Sequence, residues 1–303
     1  MIIVVLVVSA TAGMVWQQTR AVSIEAAERA RAQSAWILNG ALDWARLILR
    51  EDLRGQRSSS HDSLDEPWAT PLAEARLSSF LAADQDNNTE GGPEAFISGA
   101  ITDAQARFNL AGVVDDAGKP VPVQVAALER LCGLVGTASD TASRIVEALR
   151  AARAPAADEG TRGAPLRPTR LADLAWAGIE AATLAQLEPY VDLLPVATPV
   201  NANTAPREVL MAAIDGIDLG TAERLVQRRQ GKPFKQLDDM RADLPTTVVP
   251  DAGRIGVSSS YFLVAGRLRL EDRVLEERSL LMRRENRVDV LRRERRSFSV
   301  AAR

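Results

Sequence analysis

Three short segments carry residue types at spacings that suit chemistry at a phosphate, a hard cation or an acyl group. The first, residues 216–226, has the pattern of a helix-hairpin-helix, in which glycines let backbone amides approach phosphate. DNA-binding versions place basic side chains beside the hairpin, whereas Asp215 and Asp218 flank it here. We therefore favour close packing of two helices over DNA binding. The arginines that a DNA-binding version would use are Arg224, Arg228 and Arg229.

The second segment, residues 84–90, alternates oxygen-bearing side chains in the manner that hard cations such as calcium prefer. Its candidate ligands are Asp84, Asp86, Asn88 and Glu90. The segment is not an EF-hand, because Thr89 stands where the obligatory glycine belongs and Ala95 where the bidentate glutamate belongs. A solvated acidic loop is the competing interpretation. Calcium is thus a candidate ligand, and we expect no required cofactor.

The third segment holds Ser60, His61, Asp62 and Ser63, the atoms of an acyl-transfer site. These neighbours lie on a polar loop without a nucleophile elbow, and adjacent loop residues rarely converge. The chain has one His and one Cys, which excludes an intramolecular disulfide and a Cys/His zinc site. We predict that Cys132, at an apolar helical position, is a small core residue. We expect no enzymatic activity.

Composition and charge indicate an ordinary globular chain. Its 303 residues suffice for one large domain or two modest ones, with 46% apolar and 25% charged residues. A net charge of -3 gives the chain no electrostatic reason to bind nucleic acid. Residues 261–303 contain 12 arginines and 7 acidic residues. Several arginines alternate along predicted strands, so we expect them to line a solvated sheet face.

The N-terminus predicts a membrane anchor. Residues 2–16 carry no charge and span roughly 22 Å as a helix, short of the ~30 Å hydrocarbon core. We therefore expect a few apolar residues and a basic leader upstream. The helical pattern continues, amphipathic in its later half, for about 50 residues in all. A signal peptide followed by a globular helix is the competing interpretation. Candidate anchor residues are Ile2, Val5, Leu6, Val8, Met14 and Trp16.

The body of the chain predicts an α+β fold with an inserted helical domain. Residues 96–103 alternate as a strand, the stretch from about 121 to 249 is helical, and residues 261–270, 273–283 and 287–293 are strands. Residues 168–174 and 233–240 form a faint internal repeat, and Thr204 is the expected N-cap of a helix. Polar, Pro-punctuated loops are predicted at 55–72 and 84–93, and a flexible connection at 151–168.

Three motifs follow the apolar stem in order. They are residues 101–110 with Asp103, Arg107, Phe108 and Asn109; residues 200–206 with Asn201, Asn203, Thr204 and Pro206; and residues 260–262 with Tyr261 and Phe262. Each motif alone is weak, whereas the ordered set covers nearly the whole chain. On this set the chain resembles the K-type minor pseudopilins of bacterial type II secretion systems, also called general secretion pathway protein K.

The resemblance implies a pilin-like stem helix packed on a small antiparallel sheet. It also implies a large inserted all-helical domain of two modules similar to sterile-alpha-motif or helix-hairpin-helix folds. The expected boundaries are 1–18 for the transmembrane part of the stem, 19–54 for its periplasmic part, 55–120 for the first part of the α/β domain, 121–250 for the inserted helical domain and 251–303 for the strands that complete the α/β domain.

The resemblance further implies a single-pass protein of the bacterial inner membrane with its body in the periplasm. It would act at the pseudopilus tip, bound to the I-type and J-type minor pseudopilins and to other inner-membrane components of the secretion system. A prepilin peptidase would process the precursor, with methylation of the new N-terminus. Residues 2–18 contain no acidic residue to pair with a neighbour's terminal amine, as expected of an end subunit. The alternative is a membrane-anchored DNA-binding protein of the competence type.

Overall fold

The computed structural model describes residues 1–55, 61–77, 95–153, 166–270, 273–285 and 287–299. The strands are β1 Leu72–Arg76, β2 Ala95–Asp103, β3 Phe108–Asn109, β4 Val191–Asp192, β5 Val200–Asn201, β6 Ile255–Gly256, β7 Tyr261–Leu270, β8 Arg273–Arg284 and β9 Arg287–Ser299. The α-helices, here renumbered in chain order, are α1 Ile2–Gly55, α2 Pro122–Val135, α3 Thr141–Arg153, α4 Ala181–Leu187, α5 Arg207–Ala213 and α6 Leu219–Gly231. Short 3-10 helices connect several of them.

The stem helix α1 runs for 54 residues, about 80 Å at the rise of an α-helix. Its C-terminal half buries Leu38, Leu42, Ala45 and Leu49. Their spacing of four, three and four residues places them on one face, which packs against the sheet. The long stem predicted from the sequence is therefore confirmed.

The sheet is antiparallel, in the order β1-β2-β7-β8-β9. Side chains alternate along β7, so its neighbouring residues serve different layers. Phe262 packs with the stem helix, and Tyr261 packs with Leu194 of the inserted segment. At Gly266 a Cβ atom would lie 3.2 Å from a methyl carbon of Leu38. The absence of a side chain there lets the stem approach the sheet closely.

The inserted segment leaves the sheet after β2 and returns at β7. Helices α2–α6 surround their own apolar core, separate from that beneath the stem. Two short parallel strand pairs, β3–β4 and β5–β6, also lie within this region and were not predicted. Pairs of two residues leave no periodic signal in a sequence. The α+β class with a stem, an antiparallel sheet and a helical insert is confirmed.

The internal repeat corresponds to two similar turns. Asp173 accepts hydrogen bonds from the amides of Thr169 and Arg170, at 2.9 and 3.3 Å, as the 3-10 helix Leu171–Ala177 begins. Asp239 accepts bonds at 2.9 and 3.2 Å from the corresponding amides of Lys235 and Gln236 before Leu237–Met240. Each carboxylate satisfies backbone donors that a helix start leaves open. The repeated acidic residue is therefore a cap.

Two sequence predictions need correction. The arginines of the last strands do not all line a solvated face, because Arg283 is buried. Glu277 is also buried, and Arg295 donates a hydrogen bond to it. The described part of the polar segment before β1, residues 61–71, is a loop with a short 3-10 turn, but Asp62 and Trp68 are buried within it. The three charged side chains, Arg283, Glu277 and Asp62, are buried because each has an oppositely charged partner, and no local hydrophobic pattern indicates their burial.

Candidate functional site

Asp103, the last residue of β2, is the centre of a buried polar cluster. Its carboxylate accepts hydrogen bonds from the hydroxyls of Thr204 and Ser259, both at 2.6 Å. Asn201 Nδ2 donates to it at 2.9 Å, and the backbone amide of Gln105 donates at 2.7 Å. All five residues are buried. Four donors thus converge on one carboxylate that is shielded from water.

The partners of Asp103 come from distant parts of the chain. Asp103 ends the strand that leads into the insert, and Ser259 lies just before β7, where the chain returns. Asn201 and Thr204 belong to the middle of the insert, where Asn201 ends β5 and Thr204 follows it by three residues. Asn201 also donates to the backbone oxygen of Asp62 at 3.1 Å. The cluster therefore holds the helical insert at a fixed place on the sheet.

Burial raises the pKa of Asp103 above its ordinary value. Hydrogen bonds from Ser259 and Thr204 act in the opposite direction, and the like charge of Asp62 adds to the rise. Burial of the carboxylate costs free energy that its hydrogen bonds must offset. Loss of these hydrogen-bond partners should therefore lower the unfolding free energy of the chain.

A second buried group lies next to the first. The guanidinium of Arg283 on β8 donates to Asp52 Oδ2 of the stem at 2.8 Å and also to Asp62. It donates to the backbone oxygen of Ser259 at 2.9 Å and lies 4.7 Å above the ring of Phe262. Asp62 in turn accepts from the amide of Ser259 at 2.6 Å. One arginine thus joins the stem, the loop and the sheet.

A third carboxylate completes this group. Glu66 Oε2 accepts hydrogen bonds from the indole of Trp68 at 2.6 Å and from the amide of Ser63 at 3.1 Å. One oxygen each of Asp52, Asp62 and Glu66 lies within 4.8 Å of the others. Oxygen atoms at such distances could ligate a hard cation. Arg283 already supplies a positive charge to two of the three carboxylates, Asp52 and Asp62, so the geometry by itself indicates a structural ion-pair cluster.

Burial raises the pKa of Glu66, and the charges of Asp52 and Asp62 contribute to the rise against the bonds from Trp68 and Ser63. The folded chain therefore binds the proton more tightly than the unfolded chain. Its contribution is fully present below the unfolded pKa of 4.5 and is lost as pH rises through the folded value. We expect the unfolding free energy of the wild type, relative to Glu66→Gln, to fall with rising pH in that window.

This pH dependence is measurable by urea unfolding of the full chain in detergent at a series of pH values. Glu180→Gln, at an exposed position before α4 where the side chain makes no capping hydrogen bond, is the matched control and should show the same pH profile as the wild type. A constant difference between wild type and Glu66→Gln from pH 4 to 8 would contradict the raised pKa.

The remaining motif residues fix backbone within the insert. Asn109 donates to the oxygen of Val196 at 2.7 Å and accepts from the amide of Leu194 at 3.1 Å. Arg107 lies 3.5 Å from Asp192, beside the β3–β4 pair, and Phe108 is buried in the helical core. These residues pin β3 to the chain that follows α4.

Asn203 makes a comparable bridge. Its side chain donates to the backbone oxygen of Phe234 at 2.9 Å and accepts from the amide of Phe234 at 2.8 Å. The predicted N-cap at Thr204 is wrong, because α5 begins at Arg207 with Pro206 in the N-cap position. The Thr204 hydroxyl is instead committed to Asp103. A tertiary hydrogen bond thus takes precedence over the local capping preference.

The motif residues therefore converge only in part. Asp103, Asn201 and Thr204 meet in one cluster, while Asn109 and Asn203 act at separate positions in the insert. Sequence reasoning missed Asp52, Arg283 and Ser259. A usable signal existed for two of them, since Asp52 follows the buried stem position Leu49 by three residues and Arg283 follows the inward-facing Leu281 by two. Both positions were overlooked because a charged side chain is ordinarily expected to be exposed.

The hairpin at residues 216–226 has its own internal partners. Gly216 has φ of 81°, the left-handed conformation that favours glycine, and Gly220 lies inside α6 rather than in the connection. Asp218 caps α6 by accepting from the amide of Thr221 at 2.8 Å. A carboxylate therefore occupies the helix N-terminus that would approach a phosphate. Asp215 pairs with Arg130 and Arg254.

All three arginines expected for DNA binding have partners within the fold, and Arg224 donates to the Thr221 hydroxyl at 2.8 Å. Arg229 donates to the backbone oxygens of Ala202 and Ala205, and burial lowers its pKa to about 10. Arg228 pairs with Asp243. We therefore expect the full chain in detergent not to retard duplex DNA at low salt. Salt-dependent retardation that is lost in Arg224→Ala would contradict this expectation.

The other candidate groups carry no catalytic arrangement among the described residues. The carboxylate of Asp62 is committed to Arg283 and Ser259, so it does not orient His61. Cys132 is buried in α2, and burial raises the pKa of its thiol. Ser60 and the calcium candidates Asp84, Asp86, Asn88 and Glu90 lie outside the described residues, as does most of the connection predicted at 151–168. Calcium binding stays a prediction.

The N-terminal half of α1 is long and apolar enough to cross a membrane, judged by length and composition. The anchor candidates Ile2, Val5, Val8, Met14 and Trp16 are exposed along it. The backbone of Leu6 is helical as well. Arg20 lies 5.5 Å from the ring of Trp16, where the apolar stretch gives way to charged residues. Tryptophan and arginine at such a boundary are typical of a membrane interface.

Known proteins are similar to this chain in sequence and in fold. Models of the family described as type II secretion system (T2SS), protein K, match residues 106–196 and 200–258. Type II secretion system protein K of Pseudomonas aeruginosa is 27% identical over 295 residues, covering 90% of this chain and 83% of that protein. A chain in the crystal structure of the GspK-GspI-GspJ complex from enterotoxigenic Escherichia coli has a similar fold. Its TM-score is 0.68 at 20% identity, and the match covers 89% of this chain and 98% of that chain.

The two segments matched by the family models lie next to the residues of the buried polar cluster around Asp103. Residues 106–196 begin three residues after Asp103, and residues 200–258 include Asn201 and Thr204 and end next to Ser259. The relative from Pseudomonas aeruginosa extends the match over 90% of the chain. The chain belongs to the family of type II secretion system protein K.

Proposed function

We propose that this chain is a structural subunit at the tip of a type II secretion pseudopilus, where it binds an I-type and a J-type minor pseudopilin. The observation that carries the proposal is the similarity of nearly the whole chain to one chain of the GspK-GspI-GspJ complex. The polar clusters around Asp103 and Arg283 support it. Their side chains hold the stem, the sheet and the insert in fixed positions relative to one another. Such rigidity suits a subunit whose role is to bind other subunits.

The stem supports a place in the bacterial inner membrane with the body in the periplasm. Its apolar first third is exposed, whereas the later half is packed on the sheet. The first part would lie in the bilayer and the second would carry the body away from it. Processing by a prepilin peptidase, methylation of the mature N-terminus and contacts with other inner-membrane components belong to the same proposal.

Secretion itself provides the test. Deleting the gene in its own bacterium should abolish the release of type II substrates into the medium, and the full chain should restore it. A chain without residues 2–18 should accumulate as a folded body and fail to restore secretion. Normal secretion in the deletion strain would overturn the proposal. The matched control is a substrate of an unrelated export pathway, whose release should not change.

A further inference from the structure

The insert is attached to the sheet at one point. The chain leaves the sheet at Asp103 and returns at Tyr261, and Asp103 pairs with Phe262, the next residue of β7. Both covalent connections therefore lie side by side at the ends of two neighbouring strands. The buried cluster around Asp103 ties the insert to the same place through Asn201 and Thr204. Two adjacent connections at one fixed cluster have the geometry of a pivot.

Beyond this pivot, the insert rests on the sheet through a narrow apolar contact. Leu194 of the insert is buried in a small group with Tyr261 of β7 and with Leu280 and Met282 of β8. Ala104, where the insert begins, completes the group. The helices of the insert have a separate core of their own. The insert is therefore one body, and Leu194 is its main apolar foothold on this face of the sheet among the described residues.

Further from the pivot, charged side chains connect the insert to β8 and β9. Three contacts, which we call the ionic latch, each join an arginine to an oxygen on the other side. They are Arg278 with Glu188 at 3.4 Å, Arg170 with Glu294 at 3.5 Å, and Arg292 with the backbone oxygen of Thr169. The latch thus bridges the two bodies with long side chains.

The ionic latch is exposed and lies away from the pivot. The side chains of Arg278 and Glu188 are 51% and 59% exposed. Arg278 pairs with Ala265, three residues along β7 from Phe262, so about 10 Å separates this contact from the pivot. Exposed ion pairs contribute little free energy, and salt screens them. The insert is therefore held weakly at the place where a rotation about the pivot moves it most.

Opening the ionic latch strands no arginine. Each latch arginine has a second carboxylate on its own side of the contact, and that pair persists when the insert and the sheet separate. These pairs are Arg278 with Glu276 at 2.7 Å, Arg170 with Asp173 at 2.7 Å, and Arg292 with Glu294 at 3.2 Å. Glu188, which loses its partner, is already exposed to water. The electrostatic cost of opening is therefore small.

We propose that the insert pivots about the Asp103 cluster between a closed state and a minor open state, with the ionic latch holding it closed. In the open state Leu280 and Met282 meet solvent. The closed state dominates because Leu194 is buried against them. High ionic strength shifts the populations toward the open state. The inference goes beyond the proposed function and does not depend on it, because it concerns this chain alone.

A thiol under the insert measures the open state. Leu280 is 3% exposed, so the thiol of Leu280→Cys reacts with a maleimide only when the insert lifts, and its rate reports the open fraction. The native Cys132, 4% exposed in the core of the insert, is the internal reference for unfolding. The full chain in detergent is used, and peptide mass spectrometry separates the two thiols.

We expect Arg170→Gln combined with Arg278→Gln to raise the rate at position 280 about ten-fold, which corresponds to about 1.4 kcal/mol for the two ion pairs. The rate of Cys132 should not change. Raising NaCl from 50 mM to 1 M should accelerate position 280 in the same direction in the parent chain and much less in the double variant, where the screened pairs are absent.

Two variants make the result specific to the ionic latch. Arg207→Gln removes an ion pair of similar exposure within the insert, with Glu223, and should leave the rate at position 280 unchanged. Arg170→Lys combined with Arg278→Lys keeps both charges and should stay within about three-fold of the parent rate. Met282→Cys is a second reporter, in case Leu280→Cys fails to fold, and should give the same ratio of rates.

Unchanged rates at both reporter positions after removal of the latch arginines would overturn the pivot. Equal acceleration of Cys132 would overturn it as well, because the reactive state would then be the unfolded chain rather than the lifted insert. Neither result bears on whether the chain binds other pseudopilins.

Discussion

Replacing Arg283 by methionine is expected to destabilise the full chain by about 3–5 kcal/mol, because it removes the buried cation with which the carboxylates of Asp52 and Asp62 both pair. Asp52 and Asp62 are both at least nine-tenths buried at the side chain, as is Arg283. Methionine fills most of the volume and keeps the contact with Phe262, so the loss reports the charge rather than a cavity. Urea unfolding of the chain in detergent measures the effect.

Two variants make this result specific. Arg284→Met, one residue on and exposed, should change the unfolding free energy by less than about 0.5 kcal/mol. Combining Arg283→Met with Asp62→Asn should cost less than the sum of the two single changes, because each change removes one side of the same buried ion pair. Strict additivity, or a loss for Arg283→Met no larger than that of Arg284→Met, would show that the buried ion pairs do not hold the stem to the sheet.

Asp103→Ala is expected to cost about 2–4 kcal/mol, because four buried donors lose their common acceptor. The loss is smaller than for Arg283→Met because burial already raises the pKa of Asp103, so the carboxylate is held at some cost. The loss of structural stability should be confined to the region around the cluster. Amide hydrogen exchange should accelerate most around Asn201 and Thr204, and far less within the core of α2 and α3.

Asp103→Asn keeps the shape but turns one acceptor into a donor that faces Asn201 Nδ2. It should therefore also destabilise the chain, by about 1–2 kcal/mol. Thr102→Ala, at the preceding exposed position of β2, is the matched control. Unchanged exchange around Asn201 in Asp103→Ala would mean that the cluster does not position the insert.

The long elements were predictable because their periodic patterns are long. The stem helix shows a 3.6-residue pattern over dozens of residues, and β7 has the bounds expected from its alternation. The strand before the insert was likewise expected within one residue of Ala95–Asp103. Where a face of an element is apolar over several turns or pleats, the sequence alone indicates its type and its buried side.

The contacts between elements were not predictable in the same way. Asp103, Thr204 and Ser259 are separated by 101 and 55 residues along the chain, and local preference assigned Thr204 a capping role that it does not have. Arg283 looked like one more surface arginine, because no local pattern distinguishes it from Arg284. The positions of such polar side chains depend on hydrogen-bond partners that are distant in sequence and meet only in the folded chain. Their types could be noted in advance, but not their pairing.

The central claim is that this chain is a pseudopilus subunit that assembles with two others. The most direct measurement is the mass of the complex formed when the full chain is mixed in detergent with the I-type and J-type pseudopilins and separated by size. We predict a single species with one copy of each of the three chains. Elution of this chain alone, with the two partners in separate peaks at micromolar concentrations of all three, would contradict the account.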